Sequence, residues 1–242
     1  MSDDAIPVTS AAAVATPAAN HDMTHSVTKL DRSIKQRRNV DETLINWWLF
    51  HFIVNPVTFG VYGIILYFKR INRIDRFGAR KRAYYESLLE WSERFAIAQG
   101  KEADVRHDID DLKQLVSHTY GKDLRPIKAG ISFVLTFVTL GIYGFFVLYR
   151  MSSSWWNAQV LEQDFDDKLS QVWTRLGLLK YPLNFNEDQS KRRSFGLYLV
   201  LTFITFGIWG LIWDYKIHTD PDNLFNDFHA IEDSVLQTVR AN

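Results

Sequence analysis

A seven-residue phrase occurs three times in this chain, each time inside an uncharged apolar run. It reads VTFGVYG at 57–63, VTLGIYG at 138–144 and ITFGIWG at 204–210. A basic residue follows six positions after the second glycine of each copy, namely Lys69, Arg150 and Lys216. This internal repeat predicts one structural unit used three times, and no other feature constrains the possible folds as strongly.

The three apolar runs cover 44–68, 129–149 and 195–213, and none contains Asp, Glu, Lys or Arg. Runs of 19 to 25 such residues meet the length criterion for insertion into a membrane. Tryptophans cluster near the run ends, where an amphipathic ring favours the headgroup level: Trp47, Trp48, Trp155, Trp156, Trp209 and Trp213. The runs therefore predict an integral membrane protein.

The charged segments outside the runs carry apolar residues at helical spacing, which predicts amphipathic helices. Their seams are Phe77, Tyr84, Leu88, Trp91 and Phe95; Val105, Ile109, Leu112 and Val116; Phe165, Leu169, Val172 and Leu176; and Leu224, Phe228, Ile231 and Val235. The expected fold is all-α, with three repeated membrane units linked by amphipathic cytoplasmic helices. The seams fit either an intramolecular bundle or an oligomeric coiled coil.

Each run either spans the membrane once or enters and leaves on one face. Cations precede and follow every run, and loops rich in Lys and Arg prefer the cytoplasmic side, which favours re-entrant hairpins over single spans. The repeated phrase supplies the turn, through flexible glycines and hydroxyls that bond backbone groups: Thr58, Gly60, Gly63, Thr139, Gly141, Gly144, Thr205, Gly207 and Gly210. Against hairpins, a turn in lipid leaves backbone groups unpaired unless protein covers them.

Composition changes along the chain predict four parts. They are a disordered Ala/Ser/Thr/Pro-rich tail at 1–28, repeat 1 at 29–100, a linker helix with repeat 2 at 101–180, and repeat 3 at 181–242. Pro56 breaks the helix near the first bend. The sequence Thr219-Asp220-Pro221 predicts the start of the last amphipathic helix.

The second copy of the phrase, from Thr139 to Gly144 with Tyr149 and Arg150 beyond it, resembles the hallmark of certain bacterial inner-membrane families of unknown function. That hallmark reads T-L-G-I-Y-G or T-L-G-I-Y-x-P-W, followed by an aromatic and a basic residue. The resemblance covers about a third of the chain. It implies a protein of the bacterial cytoplasmic membrane and carries no activity with it.

Composition excludes several kinds of chemistry. The chain has 28 basic and 28 acidic residues and no cysteine, which argues against nucleic-acid binding and rules out disulfides and thiolate metal sites. No catalytic or phosphate-binding motif is present, so we expect no enzyme, cofactor or metal. The acidic clusters at 102–111 and 164–167 are interpreted as solvated helix faces. His51 and Asn55, polar within an apolar run, are expected to satisfy nearby backbone.

A basic cluster leaves the first run directly and is predicted to bind anionic lipid headgroups. It comprises Lys69, Arg70, Arg73, Arg76, Arg80, Lys81 and Arg82. An ordinary topology signal explains the same residues equally well, and the acidic segment 102–111 is a candidate partner inside the protein.

The resulting functional expectation is a non-enzymatic membrane scaffold that inserts into the cytoplasmic leaflet, self-associates and shapes the membrane. Its expected partners are anionic lipids and either itself or another membrane protein, and its N-terminus is expected to be cytoplasmic. The alternatives are a component of a channel or transporter with three spans, and an accessory subunit that assembles a larger membrane complex.

Overall fold

The computed structural model describes residues 17–41, 43–179, 183 and 192–242. These residues form helices joined by turns and loops, so the described part of the chain is all-α, as predicted. The helices are α1 (Pro17–Val40), α2 (Trp47–Leu49), a π-helical segment (Phe50–Val54), α3 (Asn55–Val57), α4 (Val61–Ala98), α5 (Glu102–Gly121), α6 (Ala129–Val138), α7 (Ile142–Leu176), α8 (Phe195–Ile204) and α9 (Ile208–Ala241).

Each apolar run is divided by its glycine turn into a short arm and the start of a long helix. The long helices α4, α7 and α9 have 38, 35 and 34 residues. Each continues without interruption from the second half of its apolar run into the amphipathic seam that follows. The short arms are the stretch Trp47–Val57, α6 and α8, so every repeat is a helical hairpin with unequal arms.

Two prolines, Pro56 and Pro221, lie within helices, which differs from the prediction made from the sequence. The first arm remains helical through Pro56 to Val57, so the predicted break at this proline is wrong. The arm widens to a π-helix at Phe50–Val54 just before the proline, whose nitrogen cannot donate to an upstream carbonyl. Pro221 lies inside α9 and is buried. The predicted helix start at Thr219-Asp220-Pro221 is therefore wrong, because packing on both sides of the proline keeps the helix continuous.

The four seams bury against one another in a single intramolecular core. Among the described residues, thirty that are buried form this core, including Trp91 and Trp173, both 0% exposed. Ile231 is partly buried at its edge, and the other predicted seam residues all belong to it. Of the two alternatives for the seams, the described residues form the intramolecular bundle.

Helix α1 contributes to this core and corrects part of the tail prediction. Leu30 and Ile34 are 0% and 4% exposed in the main core, and Met23 and Val27 pack on its edge. The prediction of disorder is therefore wrong for residues 17–28, because the scattered apolar residues fall on one helical face. The rest of the predicted tail, residues 1–16, lies outside the described residues.

The long helices run parallel and in register, so their turns lie at one end of the molecule. Lys81 of α4 bonds Glu162 of α7, and both residues stand 21 positions after their turn glycines, Gly60 and Gly141. Trp91 and Trp173, whose ring centroids are 5.7 Å apart, stand 31 and 32 positions after the same glycines. Helix α9 follows this register, since Phe77 and Phe225 meet at 5.4 Å, 17 and 18 positions past their glycines.

Candidate functional site

The three turns are built identically from backbone hydrogen bonds. In the second hairpin the N–H of Gly141 donates to the carbonyl of Thr136 at 2.7 Å, and the N–H of Leu140 donates to that of Phe137 at 3.1 Å. This is the Schellman pattern that ends many helices. The first and third hairpins repeat both bonds at the corresponding residues.

The threonine of each phrase joins the two arms. The hydroxyl of Thr139 donates to the carbonyl of Leu135 at 2.7 Å and accepts from the N–H of Tyr143 at 2.9 Å. Thr58 and Thr205 make the same pair of bonds. Together with the backbone bonds of the turn, these bonds give every backbone N–H from Thr139 to Gly144 an acceptor within its own hairpin. The energetic cost of unpaired N–H groups, which is expected for a turn in lipid, is therefore absent here.

A large apolar residue occupies the left-handed backbone region at each tip. Phe59, Leu140 and Phe206 have φ of 49°, 51° and 49°, a conformation that costs a bulky L-residue about 1–2 kcal/mol. The glycines that follow, Gly60, Gly141 and Gly207, have φ of 83°, 93° and 92°. Glycine or asparagine would fit the position of Phe59, Leu140 or Phe206 with less strain. The needs of the turn alone therefore do not explain why a large apolar residue occurs there.

The second glycine of each phrase allows the arms of its own hairpin to pack closely. A Cβ added at Gly144 would lie 3.2 Å from Cγ2 of Thr136, and one added at Gly210 would lie 3.0 Å from Cγ2 of Thr202. In the first hairpin the neighbour of Gly63 is Oδ1 of Asn55, at 3.2 Å, and this oxygen has no hydrogen-bond partner in the described structure. The close approach expected from sequence is thus within a hairpin.

The hairpins carry nearly all of the large hydrophobic side chains that are exposed in the described part of the chain. Apart from Ile97, every large hydrophobic side chain that is exposed among the described residues lies within 48–65, 131–149 or 197–215. The tip residues are the most exposed of all, with Phe59 at 97%, Leu140 at 95% and Phe206 at 97%. Apolar patches of this extent mark an interaction with lipid or with another apolar surface.

The bases of the three hairpins hold one another in place. The rings of Phe68 and Phe133 join the first hairpin to the second, with centroids 5.4 Å apart. The indole N–H of Trp213 donates to the hydroxyl of Ser152 at 3.1 Å and joins the third hairpin to the second. A second apolar cluster, centred on Ile71, surrounds these contacts. The three tips therefore project from a common base.

Asp214 fastens the first hairpin to the third. Its carboxylate accepts hydrogen bonds from Arg70 and from the indole of Trp47 at 2.8 Å, and its Oδ2 lies 2.9 Å from Nε2 of His51. Burial alone would raise the pKa of Asp214, but the bonds and charge of Arg70 outweigh it and lower the pKa to about 2. His51 thus serves this contact between hairpins, and the expectation that it satisfies local backbone is wrong.

In comparisons with known proteins, no family model matches the chain, and neither a curated protein nor a solved structure does. Within the described ranges, no helix combines the length and the apolar character needed to cross a membrane. The same ranges hold no group of three or more histidine, aspartate or glutamate side chains arranged to bind a metal ion.

Four of the seven cations predicted to bind headgroups form ion pairs inside the protein. Arg70 pairs with Asp214 as described, and Arg73, 5% exposed, pairs with Asp222. Arg80 and Lys81 are 2% and 1% exposed and form the network described next. For these residues the headgroup prediction is wrong, since they share helix faces with the seam residues. Lys69, Arg76 and Arg82 are exposed, and Arg82 pairs with Glu86 one turn away.

A buried ion network links three helices and the end of a fourth. Lys81 Nζ donates to Glu162 at 2.8 Å and to Glu232 at 3.2 Å, while Arg80 bonds both oxygens of Glu232 and also Asp41. Burial would raise the pKa of Glu232, yet Lys81 and Arg80 together lower it. The acidic segment 102–111 that the sequence offered as a partner takes no part in this network.

Asp166 shows that the acidic cluster at 164–167 is only partly solvated. Its side chain is 3% exposed, and its Oδ2 has no hydrogen-bond partner in the described structure. Burial, reinforced by the nearby charge of Glu162, raises its pKa well above the usual value. The sequence signal was present, because Asp166 and Glu162 are one helical turn apart and lie beside the seam residues Phe165 and Leu169.

Several predicted headgroup-level tryptophans are also buried. Trp47, Trp155 and Trp213 are 6%, 8% and 3% exposed. Trp155 belongs to the main core and Trp213 to the second cluster, while Trp47 bonds Asp214. Protein atoms, and not a headgroup layer, therefore cover these three rings. Trp48, by contrast, is 59% exposed and stacks on Phe52 in the first arm.

Proposed function

We propose that this chain is a bacterial membrane scaffold that inserts its three hairpin tips into the cytoplasmic leaflet of the inner membrane. The observation that carries the proposal is the tip residue. Phe59, Leu140 and Phe206 occupy a strained backbone conformation and are almost fully exposed. In water, neither the strained backbone nor the exposed apolar side chain stabilises the folded protein. A hydrocarbon environment, by contrast, stabilises an apolar side chain at the deepest point of a hairpin.

The dimensions of the hairpins support insertion into one leaflet. Arms α6 and α8 have ten residues each, which corresponds to about 15 Å at the helical rise. That length is close to half of a hydrocarbon core about 30 Å thick. Three parallel hairpins of this length would fill one leaflet and leave the other unoccupied, and such asymmetry favours curved membrane.

The charges around the hairpin bases support a cytoplasmic face. Lys69, Arg125, Lys128 and Arg192 are exposed where hairpin arms enter or leave the apolar end. Exposed cations at that level attract anionic headgroups by about 1 kcal/mol each. The headgroup role predicted for the basic cluster is therefore assigned to the exposed cations at the bases.

Self-association remains part of the proposal and would use the hairpins. The seams are already buried within one chain, so a second copy finds no free seam to pair with. The outer sides of the hairpins are apolar, including a groove of about 530 Å³ lined by Trp48, Phe52 and Leu211 among others. Contacts between copies at such surfaces would concentrate the wedges in one patch of membrane.

Reconstitution into liposomes tests the proposal. We expect the purified chain to co-float with vesicles and, at high protein density, to convert round vesicles into tubules or smaller vesicles seen by electron microscopy. Vesicles that bind the protein but keep their shape would refute the shaping role. Failure to co-float would refute insertion itself.

Co-purification and solute flux distinguish the two alternative functions from the scaffold. Co-purification in mild detergent with a fixed foreign subunit would favour an accessory role in a larger complex. Solute flux through reconstituted vesicles would favour a channel or transporter component. Homo-oligomers without flux are the result that the scaffold proposal predicts.

A further inference from the structure

A cationic pocket lies at the base of the second hairpin, outside the basic cluster that the sequence singled out. It has a volume of about 400 Å³ and lies where the chain enters α6 and where α7 leaves the apolar layer. Arg125, Lys128 and Arg150 line it on one side, and Ile131 and Phe146 line it on the other. No acidic side chain contributes to its wall.

The three cations of this pocket make no direct ion pair within the described part of the chain. Within the described part of the chain, none of them forms an ion pair with a carboxylate, whereas Arg70, Arg73, Arg80, Lys81 and Arg193 all do. Asp75 approaches from α4, but its two oxygens accept the backbone N–H groups of Ile127 and Lys128 at 2.8 and 2.9 Å. Asp75 and Asp123 act on Arg150 only through their charges, so the three cations line the pocket without a carboxylate in direct contact, and an external anion can bind there.

Arg150 is held in position to receive that anion. Its Nη2 donates to the carbonyl of Arg125 at 2.6 Å, which fixes the guanidinium across the pocket. Burial disfavours the charged guanidinium and lowers the pKa of Arg150, although the charges of Asp75 and Asp123 act in the opposite direction. An anionic oxygen bound in the pocket would favour the charged form further.

The apolar wall distinguishes the ligand from a small soluble anion. Ile131 and Phe146 are 56% and 46% exposed and continue the pocket from the cations toward the hairpin tip. A ligand that fills both parts carries a negative phosphate and an apolar chain. An anionic phospholipid at the level of the hairpin base has that chemistry.

We propose that this pocket binds the phosphate of one anionic phospholipid, with Arg125, Lys128 and Arg150 around the headgroup and Ile131 and Phe146 along the acyl chain. The inference rests on the proposed insertion of the hairpins into a membrane. It adds a discrete lipid site to the general attraction of the exposed cations.

Native mass spectrometry of the full chain in mild detergent tests the site. The probes are phosphatidylglycerol, phosphatidylcholine and inorganic phosphate. The test variant is Arg125→Gln/Lys128→Gln/Arg150→Gln, and the matched control is Lys69→Gln/Arg192→Gln/Lys216→Gln, which removes the same charge at the bases of the other hairpins. We expect wild type and control to retain one phosphatidylglycerol, and the test variant to bind it about tenfold more weakly or worse.

Each other outcome overturns the site. An equal loss in both triple variants would reduce the effect to general charge, and equal retention of phosphatidylcholine would remove the need for an anion. Displacement of the lipid by excess inorganic phosphate would assign the pocket to a soluble phosphate. Since Arg150 also bonds the backbone, the double variant Arg125→Gln/Lys128→Gln, altered only at exposed residues, must show the loss as well.

Vesicle flotation separates this proposal from the previous one. If the pocket is wrong but insertion is right, the test variant still co-floats and retains lipid like wild type. If insertion is wrong, wild type fails to co-float with vesicles of either lipid.

Discussion

Two levels of the long helices place apolar and charged side chains in opposite ways: one level is next to the turns, and the other is about halfway along the helices. Near the turns, large apolar residues such as Phe145 and Ile212 face outward and are 48% and 41% exposed. Twenty-one positions beyond their turn glycines, Lys81 and Glu162 lie inside the main core at 1% and 0% exposure. The same helices are therefore apolar outside near their turns and charged inside about halfway along their length.

Each arrangement is stable only in particular surroundings. Outward apolar side chains require an apolar environment, because about 25 cal/mol is lost for every Å² of apolar surface left in water. Inward charges require complete pairing, because an unpaired buried ion costs several kcal/mol. The comparison teaches that the level next to the turns depends on its environment, whereas the level halfway along the helices depends on its own partners. The following predictions test that distinction, from the largest expected effect to the smallest.

The largest effect is expected at the tips. Replacing Phe59, Leu140 and Phe206 with Asp costs about 3 kcal/mol of insertion free energy at each site, so vesicle binding should become undetectable by flotation. Folding in detergent should be unchanged by circular dichroism, because these side chains are almost fully exposed. The control Ile97→Asp changes an exposed apolar residue outside the hairpins and should bind like wild type. Equal binding by the tip variant would break the comparison.

The level halfway along the helices should respond to the loss of one buried partner. Lys81→Met leaves Glu162 and Glu232 without their shared cation and should lower the free energy of unfolding by about 3–5 kcal/mol. Arg82→Met, next in sequence but exposed, should cost about 1 kcal/mol or less. Denaturant unfolding in detergent measures both. Similar losses for the two variants would show that the network is not a stabilising contact.

Asp214, which lies between these two levels, should make the free energy of unfolding depend on pH. Because its pKa is lowered from 3.8 to about 2 in the folded protein, the ionised carboxylate stabilises the fold above about pH 4. This stabilisation, about 2 kcal/mol from the size of the shift, is lost as the pH falls from about 4 to 2. Asp214→Asn should be less stable at pH 7 and should lose less on acidification, whereas the exposed control Asp164→Asn should titrate like wild type. If Asp214→Asn lost as much unfolding free energy between about pH 4 and 2 as wild type does, this assignment would be contradicted.

The smallest effect concerns packing between hairpin arms. Gly210→Ala brings a methyl group to 3.0 Å from Thr202 and should destabilise the protein by about 1–2 kcal/mol. Gly196→Ala, whose methyl group meets nothing within 4 Å, should be neutral or should stabilise the helix by up to about 1 kcal/mol. Thermal unfolding of the two variants in the same detergent measures the difference. Stabilisation by both would show that the arms are not closely packed.

The sequence predicted the features that depend on local pattern. Seam spacing identified the core residues of α4, α5, α7 and α9, and the repeated threonine and glycine predicted where the chain turns. The same spacing also contained a signal that was not used. Arg73, Phe77, Arg80 and Tyr84 follow one another at helical intervals on one face, so two of the cluster's arginines share the buried stripe.

Features that depend on distant partners could not be predicted. Asp214 and Arg70 are 144 residues apart, and no local pattern indicates that they meet. The helical part of the predicted tail depends on contacts of Leu30 and Ile34 with the main core, which composition does not show. The continuity of α9 through Pro221 likewise follows from packing that overrides a local helix-start signal.

The central claim is that all connections between hairpins lie on one side of the membrane. Because the chain has no cysteine, single cysteines introduced at Gly100, Lys122, Arg192 and Asn242 can each be probed with a membrane-impermeant maleimide in intact cells and after permeabilisation. The account predicts that all four react only after permeabilisation. Reaction at any one of them in intact cells would contradict it.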